Sequence, residues 1–270
     1  MTTRRRLDTE MVRRGLVGNR SAAREMVNQG RVTVDGAQAI KAARLVDPAQ
    51  AIRLSGPPPR YVSRGGTKLE AALDRFGIDV VGRRAVDVGA STGGFTDCLL
   101  QRGVASVVAV DVGRAQLHER LRSDPRIEVR ERTDVRELDP GAMGAPFGVV
   151  VADLSFISLR TVMIDLLGLV DVESSMVLLV KPQFEAGRAD ADRGRGVIRD
   201  PEVRRRALAE VHQSVCSHGA AIMEGMESPI SGAKGNLEYL VHVVLGGTHP
   251  GFDPAALVTG SPGAGPVGAS

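Results

Sequence analysis

The chain has 270 residues, of which 43% are hydrophobic and 3% aromatic, with no tryptophan, and its formal net charge is +3. This length fits one large or two unequal domains with a mostly aliphatic core. The longest apolar runs fall well short of the roughly 18 residues of a membrane span, and no apolar segment follows the arginine-rich start, which argues against a signal peptide. Cys98 and Cys216 have no partner motif, so we expect a reduced, cytoplasmic protein.

The first quarter of the chain is basic. Residues 1–60 contain twelve Arg and Lys against five Asp and Glu, whereas the remainder has a net negative charge. Two short helical patterns that stop near Gly15 and Gly30, followed by a hairpin signal at Asp35-Gly36, predict a small α+β domain over residues 1–56. A basic unit of this kind is typical of a segment that neutralises phosphates, although a merely solvated basic arm would share its composition.

This segment resembles the RNA-binding domain named after ribosomal protein S-four. The resemblance rests on Arg6-Leu-Asp8 and on Gly30-x-Val-x-Val-Asp-Gly36, with one departure at Arg20-Ser21, where the family order of Ser and Arg is exchanged. The stiff run Gly56-Pro-Pro-Pro59 then marks a boundary, and residues 57–66 are predicted to be an interdomain linker.

The remainder alternates between strand and helix patterns. A helix through Leu69 and Leu73 is predicted to stop at Gly77, and it opens a second domain over residues 67–245. Further helices are predicted at 95–102, 159–170 and 201–217, and strands at 85–88, 104–110, 127–129, 147–152, 176–180, 220–223 and 237–245. This alternation predicts an α/β fold with a Rossmann-like, doubly wound and mostly parallel sheet. Residues 186–200 are predicted to form a polar loop, and the Gly/Pro-rich residues 246–270 a disordered tail.

The run from Ala85 to Leu100 indicates a cofactor site. A buried strand breaks at Gly89 into a loop of small residues, and a helix restarts near Phe95, so backbone amides can approach a ligand closely. The spacing is Asp87-x-Gly89-x-x-x-Gly93 rather than the G-x-G-x-x-G of dinucleotide sites. It resembles the cofactor loop of S-adenosylmethionine (SAM) methyltransferases.

Two later acids extend this site. Asp111 follows the next strand, 22 residues after Gly89, a distance typical of an acid that binds the ribose hydroxyls of an adenosine cofactor. That acid alone fits NAD equally well. Asp134 could accept a bond from an adenine amino group or could merely cap a loop.

The residues at the strand ends also indicate which chemical group accepts the methyl group. Asp153-Leu-Ser-Phe156 lacks the two prolines typical of enzymes that methylate base amino groups, and neither cysteine lies at a strand end to serve as a nucleophile. A hydroxyl acceptor remains. Lys181, at the end of a buried strand, could orient a hydroxyl or take its proton, although an isolated lysine at a strand end is more often only solvated.

Five ordered motifs resemble the TlyA family over about residues 4–245. They begin at Tyr61, Asp87, Ala152, Val180 and Gly235, and read YVSRGGxKL, DVGASTGGFT, ADLSFIS, VKPQFE and GNxEY. The catalytic domain of that family is similar to the FtsJ-type RNA 2′-O-methyltransferases. The resemblance implies a catalytic tetrad of Lys68, Asp153, Lys181 and Glu238, with Glu238 in the last strand, and in-line methyl transfer from SAM without a metal.

The resemblance and the loop together give a set of expected cofactor-binding residues: Asp87, Gly89, Ala90, Ser91, Thr92, Gly93, Gly94, Phe95, Asp111, Asp134 and Asp153. The family further implies RNA contacts at Arg6, Arg14, Arg20 and Lys41, and a cytidine ribose in 16S ribosomal RNA, in 23S ribosomal RNA or in both, at the subunit interface, as the substrate. Family members render ribosomes sensitive to cyclic peptides such as capreomycin. The expected partner is ribosomal RNA within ribosomal subunits, and we expect a monomer with no obligate protein partner and no membrane association.

Three other functions are compatible with parts of the sequence. A ribosome assembly factor with a vestigial methyltransferase core would share the motifs, but drift would erode Lys181 or Glu238 first. Family members are often labelled haemolysins, yet no strongly apolar amphipathic helix supports membrane activity. Pseudouridine synthases can carry the same N-terminal domain but lack the SAM loop.

Overall fold

The computed structural model describes residues 4–18, 20–28, 30–56, 59–232, 234–247 and 251–259. The chain divides into two compact units, Met1–Ser63 and Arg64–Ser270. Within the first unit the helices and strands are β1 (Arg5–Arg6), α1 (Leu7–Arg13), α2 (Arg20–Asn28), β2 (Val32–Val34), β3 (Ala37–Gln38), β4 (Leu45–Val46) and β5 (Ile52–Leu54).

The first unit is an α+β domain, as predicted. Helices α1 and α2 contact each other, and β2 pairs antiparallel with both β3 and β5. Asp35 and Gly36 form the turn between β2 and β3 with positive φ, which is the backbone conformation that an Asp-Gly turn provides at low cost. A small apolar core centred on Leu7, Met11 and Val32 holds the helices on the sheet.

The second unit contains the remaining elements. They are α3 (Gly65–Phe76), β6 (Arg84–Val88), α4 (Gly94–Gln101), β7 (Ser106–Asp111), α5 (Glu119–Arg122), β8 (Ile127–Glu131), β9 (Val149–Ala152), α6 (Leu159–Leu167), β10 (Ser175–Val180), α7 (Pro182–Glu185), α8 (Arg188–Arg193), α9 (Pro201–Ser217), β11 (Ala220–Glu227), β12 (Tyr239–Leu245) and α10 (Pro254–Thr259). A 3-10 turn covers Val135–Glu137.

The predicted doubly wound sheet is confirmed. Its seven strands have the order β11-β12-β10-β9-β6-β7-β8, and all neighbours from β10 to β8 run parallel. Strand β12 pairs antiparallel with β10 and β11. The carboxyl ends of the parallel strands therefore meet at one edge, and the residues that follow β6, β7, β9 and β10 are brought together there.

The structure departs from the sequence prediction at Glu238, in the predicted polar loop, at the start of α3 and in the predicted tail. Glu238 lies immediately before β12 rather than in it, because the last ladder pair joins Val180 to Tyr239. The predicted polar loop contains the short helix α8, from Arg188 to Arg193. The start of α3 at Gly65 also falls inside the segment predicted as linker.

The predicted disordered tail is wrong for residues 251–259, where α10 forms. Phe252, Leu257 and Val258 are packed against the main core, and α10 contacts α9 and β11. These tertiary contacts outweigh the local composition, which is rich in glycine and proline. The prediction for residues 248–250 and 260–270 lies outside the described residues.

Candidate active site

The turn between β6 and α4 requires glycine at two positions. Gly89 has a φ of +84°, and a Cβ there would lie 2.7 Å from the carbonyl oxygen of Asp153. Gly93 has a φ of +95°, and a Cβ there would overlap the side chains of Leu117 and Leu121. The first helical bond runs from Asp97 N to the carbonyl of Gly93, so the first-turn amides of α4 lack acceptors within the helix and are suited to bind a ligand.

Asp87 and Asp111 hold this loop in shape. The buried Asp87 accepts bonds at Oδ2 from Thr96 N, at 2.9 Å, and Thr96 Oγ1, at 2.6 Å, which ties the end of β6 to the start of α4. Its Oδ1 is buried without a partner among the described residues. Burial raises the pKa of Asp87 to about 7. Asp111 accepts bonds from Ser91 N, at 2.8 Å, and Gly113 N, at 2.6 Å.

Asp134 has local partners. Its carboxylate caps the 3-10 turn by accepting from Arg136 N at 3.0 Å, and it also accepts two bonds from the Arg136 guanidinium. This pairing lowers the pKa of Asp134 to about 2. The loop-capping alternative therefore describes the contacts seen, and an adenine contact at Asp134 stays a prediction.

Lys181 and Asp153 form an ion pair at the sheet edge. Strands β9 and β10 are parallel neighbours, and the residues that follow them bring Lys181 Nζ to 2.5 Å from Asp153 Oδ1. Lys181 Nζ also donates to Ser155 Oγ at 2.9 Å. The lysine is only 8% exposed, and Asp153 N bonds to the carbonyl of Val88, directly before the glycine turn. The pair thus lies beside the loop.

Lys68 and Glu238 form a second, fully buried pair. Lys68 Nζ lies 2.5 Å from Glu238 Oε2, and Gln183 Nε2 donates to Glu238 Oε1 at 3.1 Å. A side chain at Gly232 would overlap the Glu238 carboxylate, so a glycine is required there. Gln183 lies two residues after Lys181, and it therefore connects the segment of the first pair to the second pair.

Sequence reasoning missed Ser155 and Gln183 as members of this network. Both belong to motifs that carry the family resemblance, and that position was the available signal. Their partners lie 26 and 55 residues away, so spacing alone could not have found the contacts. The site thus presents two lysine–carboxylate pairs beside the start of α4, where the amides of Gly94 and Phe95 precede the first helical bond.

In the N-terminal unit, the Asp8 carboxylate forms ion pairs with three arginines. Its carboxylate is fully buried, whereas the side chains of Arg6, Arg20 and Arg24 are each about half exposed and lie 2.8, 3.2 and 3.5 Å away. The Arg6 guanidinium holds the pKa of Asp8 well below its usual range. Asp8 thus binds three guanidinium groups whose side chains stay about half exposed.

Arg14 differs from the other predicted RNA contacts. It binds Glu10 at 2.8 Å, and it donates to the carbonyls of Gln50 and Pro48 at 2.8 and 2.9 Å. Glu10 is itself buried and also accepts from Arg13. Lys41 is exposed. The structure thus gives Arg14 an internal role in holding residues 48–50, whereas Lys41 faces solvent.

Within the described ranges, no group of three His, Cys, Asp or Glu side chains is arranged to hold a metal ion. Among the same residues, no helix has the length and apolar character needed to cross a membrane.

Comparison with known proteins identifies the family. Residues 61–244 match the FtsJ-like methyltransferase family, and residues 5–52 match the S4 domain. The chain is 46% identical over 242 residues to the 16S/23S rRNA (cytidine-2'-O)-methyltransferase TlyA of Mycobacterium tuberculosis, covering 89% of this chain and 90% of that protein. It is 37% identical to Hemolysin A of Brachyspira hyodysenteriae, covering 89% and 100%.

A solved structure that carries a hemolysin name, from Streptococcus thermophilus, superimposes with a TM-score of 0.77 at 34% identity, covering 97% of this chain and 96% of that one. These similarities extend over both units and agree with the motif resemblance found in the sequence. The chain is therefore an FtsJ-like methyltransferase that belongs to the TlyA family.

Proposed function

We propose that this protein transfers the methyl group of SAM to the 2′-oxygen of a cytidine ribose in ribosomal RNA. The observation that carries the proposal is the buried Lys181, held by Asp153 and Ser155 at the sheet edge next to the glycine turn. A lysine in that position can orient a hydroxyl and accept its proton.

The residues around the turn fit SAM. The first-turn amides of α4 offer donors to its carboxylate, and the unpartnered Oδ1 of Asp87 offers an acceptor to its amino group. Asp111 uses one lone pair of each oxygen on the loop, and a carboxylate has further sites for two ribose hydroxyls. When bound, SAM would supply the electrophilic methyl group.

In this proposal, each side chain of the site has a separate role in methyl transfer. Lys181 Nζ would accept the hydroxyl proton as the ribose oxygen–methyl bond forms and the sulfur–methyl bond breaks, with S-adenosylhomocysteine as the leaving group, and the carboxylate of Asp153 would stabilise the ammonium that results. Ser155 fixes the position of Nζ. The hydrogen bonds that Glu238 accepts from Lys68 and Gln183 fix these polar side chains in the neighbouring part of the site. A base positioned in this way contributes on the order of 10²–10⁴-fold to the rate.

Two features support RNA as the substrate. The half-exposed Arg6 and Arg20, with Lys41, give the N-terminal unit a set of cations suited to phosphates. In the second unit, Phe156 is 91% exposed at a φ of +68°, and its ring lies 5.2 Å from that of Phe184. An exposed aromatic ring beside the site suits stacking on an unpaired base. The name of the M. tuberculosis relative specifies the same reaction.

The test is methyl transfer from tritiated SAM to isolated 30S, 50S and 70S particles. We expect transfer to at least one of them, and loss of transfer in Lys181→Ala, which should still bind SAM in calorimetry. The labelled particle would identify 16S or 23S RNA as the target. Particle binding without transfer by the wild type would contradict the proposal and favour an assembly factor.

A further inference from the structure

One buried carboxylate near the site has no part in the chemistry proposed above. Glu185 is the last residue of α7, four positions after Lys181, and it is 3% exposed. A buried carboxylate costs free energy unless other groups bind it. Its partners therefore indicate what it does.

The side chain of Glu185 binds the start of α6. It accepts from Ser158 Oγ at 2.5 Å and from Leu159 N at 2.8 Å. Arg160 adds a longer ion pair at 3.5 Å, and its guanidinium donates to the backbone carbonyl of Glu185 at 3.0 Å. Ser158 ends the loop that begins at Asp153, so Glu185 holds the far end of the loop that carries the Asp153 carboxylate.

The backbone of Glu185 is tied to Lys181. Both Phe184 N and Glu185 N donate to the carbonyl oxygen of Lys181, at 2.8 and 3.2 Å. A shift of Glu185 therefore moves the residue that carries the amine. The contacts form a closed circuit, from Lys181 through α7 to Glu185, across to Ser158, back along the loop to Asp153, and through the ion pair to Lys181.

We propose that Glu185 is a positioning residue for methyl transfer, which clamps the loop 153–158 to the turn 181–185 and so keeps the Asp153 carboxylate against the Lys181 amine. The inference deepens the proposed function and rests on it. A displacement of about 1 Å at a reacting group can cost on the order of 100-fold in rate, so a clamp of this kind has a kinetic consequence.

Three variants separate positioning from mere structural support. Glu185→Ala removes the clamp. Glu185→Gln keeps it, because the amide carbonyl can accept from Leu159 N while the amide group donates to Ser158 Oγ. The matched control is Glu210→Gln, since Glu210 binds the Arg160 guanidinium at 2.8 Å through a nitrogen, Nη1, that does not bind Glu185.

The measurement is the single-turnover rate of methyl transfer to ribosomal particles, with KM for SAM and for particles. We expect Glu185→Ala to be roughly 10–100-fold slower with both KM values within about 2-fold of wild type. We expect Glu185→Gln to recover to within about 3-fold, and Glu210→Gln to match the wild type. Unchanged rates in folded Glu185→Ala, or no recovery in Glu185→Gln, would overturn the inference.

Hydrogen exchange in residues 153–159 and 181–186 separates this inference from the proposed function. Faster exchange in both segments of Glu185→Ala supports the clamp, and unchanged exchange overturns it, even if the wild type transfers no methyl group and the proposed function fails. If Glu185→Ala does not fold, Ser158→Ala breaks the same contact from the other side and Ser158→Thr retains the hydroxyl. The alanine variant should then be slower than the threonine variant at equal KM, and equal rates would overturn the clamp.

Discussion

Both units of the molecule bury carboxylates against cations, but they use different cations in different environments. In the N-terminal unit Asp8 and Glu10 are buried, while arginines such as Arg6 and Arg20 remain about half exposed. In the second unit Lys68, Lys181 and Glu238 are buried, whereas Asp153 is partly exposed. Arginine keeps its charge and points it outward, which suits phosphate binding, whereas a buried lysine can exchange a proton. Under the proposed function, the exposed arginines of the N-terminal unit would bind RNA and the buried lysines of the second unit would carry the chemistry.

The largest expected effect comes from replacing the buried Lys181 with arginine, which is the cation that the N-terminal unit uses. Lys181→Arg should lower the methyl-transfer rate by roughly 10²–10⁴-fold, because a guanidinium does not release a proton at neutral pH. The single-turnover rate at saturating SAM measures this. Lys41→Arg is the matched control, and its rate and RNA affinity should stay near wild type. Equal losses of methyl-transfer rate in Lys181→Arg and Lys41→Arg would contradict the different roles of the cations in the two units.

Breaking the second buried pair should destabilise the fold. Glu238→Leu leaves Lys68 unpaired, and removing one partner of a buried ion pair costs about 3–5 kcal/mol. Urea unfolding measures the loss. The double variant Lys68→Met with Glu238→Leu should recover most of the stability without recovering activity. Recovery of activity in the double variant would show that this pair serves the fold alone.

Substitutions of Arg20 and Arg14 in the N-terminal unit should have different effects, because the two side chains have different partners. Arg20→Ala should weaken RNA binding and reduce the slope of log affinity against log salt by about one. Arg14→Ala should leave that slope unchanged and lower the melting temperature, because its donors are bound to Glu10, Gln50 and Pro48. A reduced slope in Arg14→Ala would contradict the internal role.

The smallest expected effect concerns the pH dependence of the free energy of unfolding, to which Glu10 and Asp87 should contribute with opposite signs. Arg13 and Arg14 hold the pKa of Glu10 at about 2, below its ordinary 4.5, so its stabilising contribution is full above pH 4.5 and is lost as the pH falls towards 2. Burial raises the pKa of Asp87 from 3.8 to about 7, so its contribution falls as the pH rises through that range.

Unfolding midpoints across this pH range, in the full chain, test the signs. Glu10→Gln should flatten the acid side of the profile, and Asp87→Asn should flatten the decline between about pH 4 and 7. A profile that either variant leaves unaltered would contradict the assignment for that residue.

The sequence predicted the sheet and the position of the glycine turn between β6 and α4 because those depend on local patterns. Strand–helix alternation and the glycine spacing around Gly89 are visible within short windows. The contact of Lys68 with Glu238 joins residues 170 positions apart, and only the family resemblance could suggest it. Glu185 stood in a recognised motif, but its role depends on Ser158 in another loop. Helix α10 was missed because tertiary contacts of Phe252 and Leu257, rather than propensity, stabilise it.

The most direct test of the central claim is the chemical identity of the methylated nucleoside. Ribosomal RNA treated with the protein and labelled SAM would be digested to nucleosides and separated by mass. We expect labelled 2′-O-methylcytidine from the wild type and none from Lys181→Ala under the same conditions. A base-methylated nucleoside, or equal amounts of 2′-O-methylcytidine from Lys181→Ala, would contradict it.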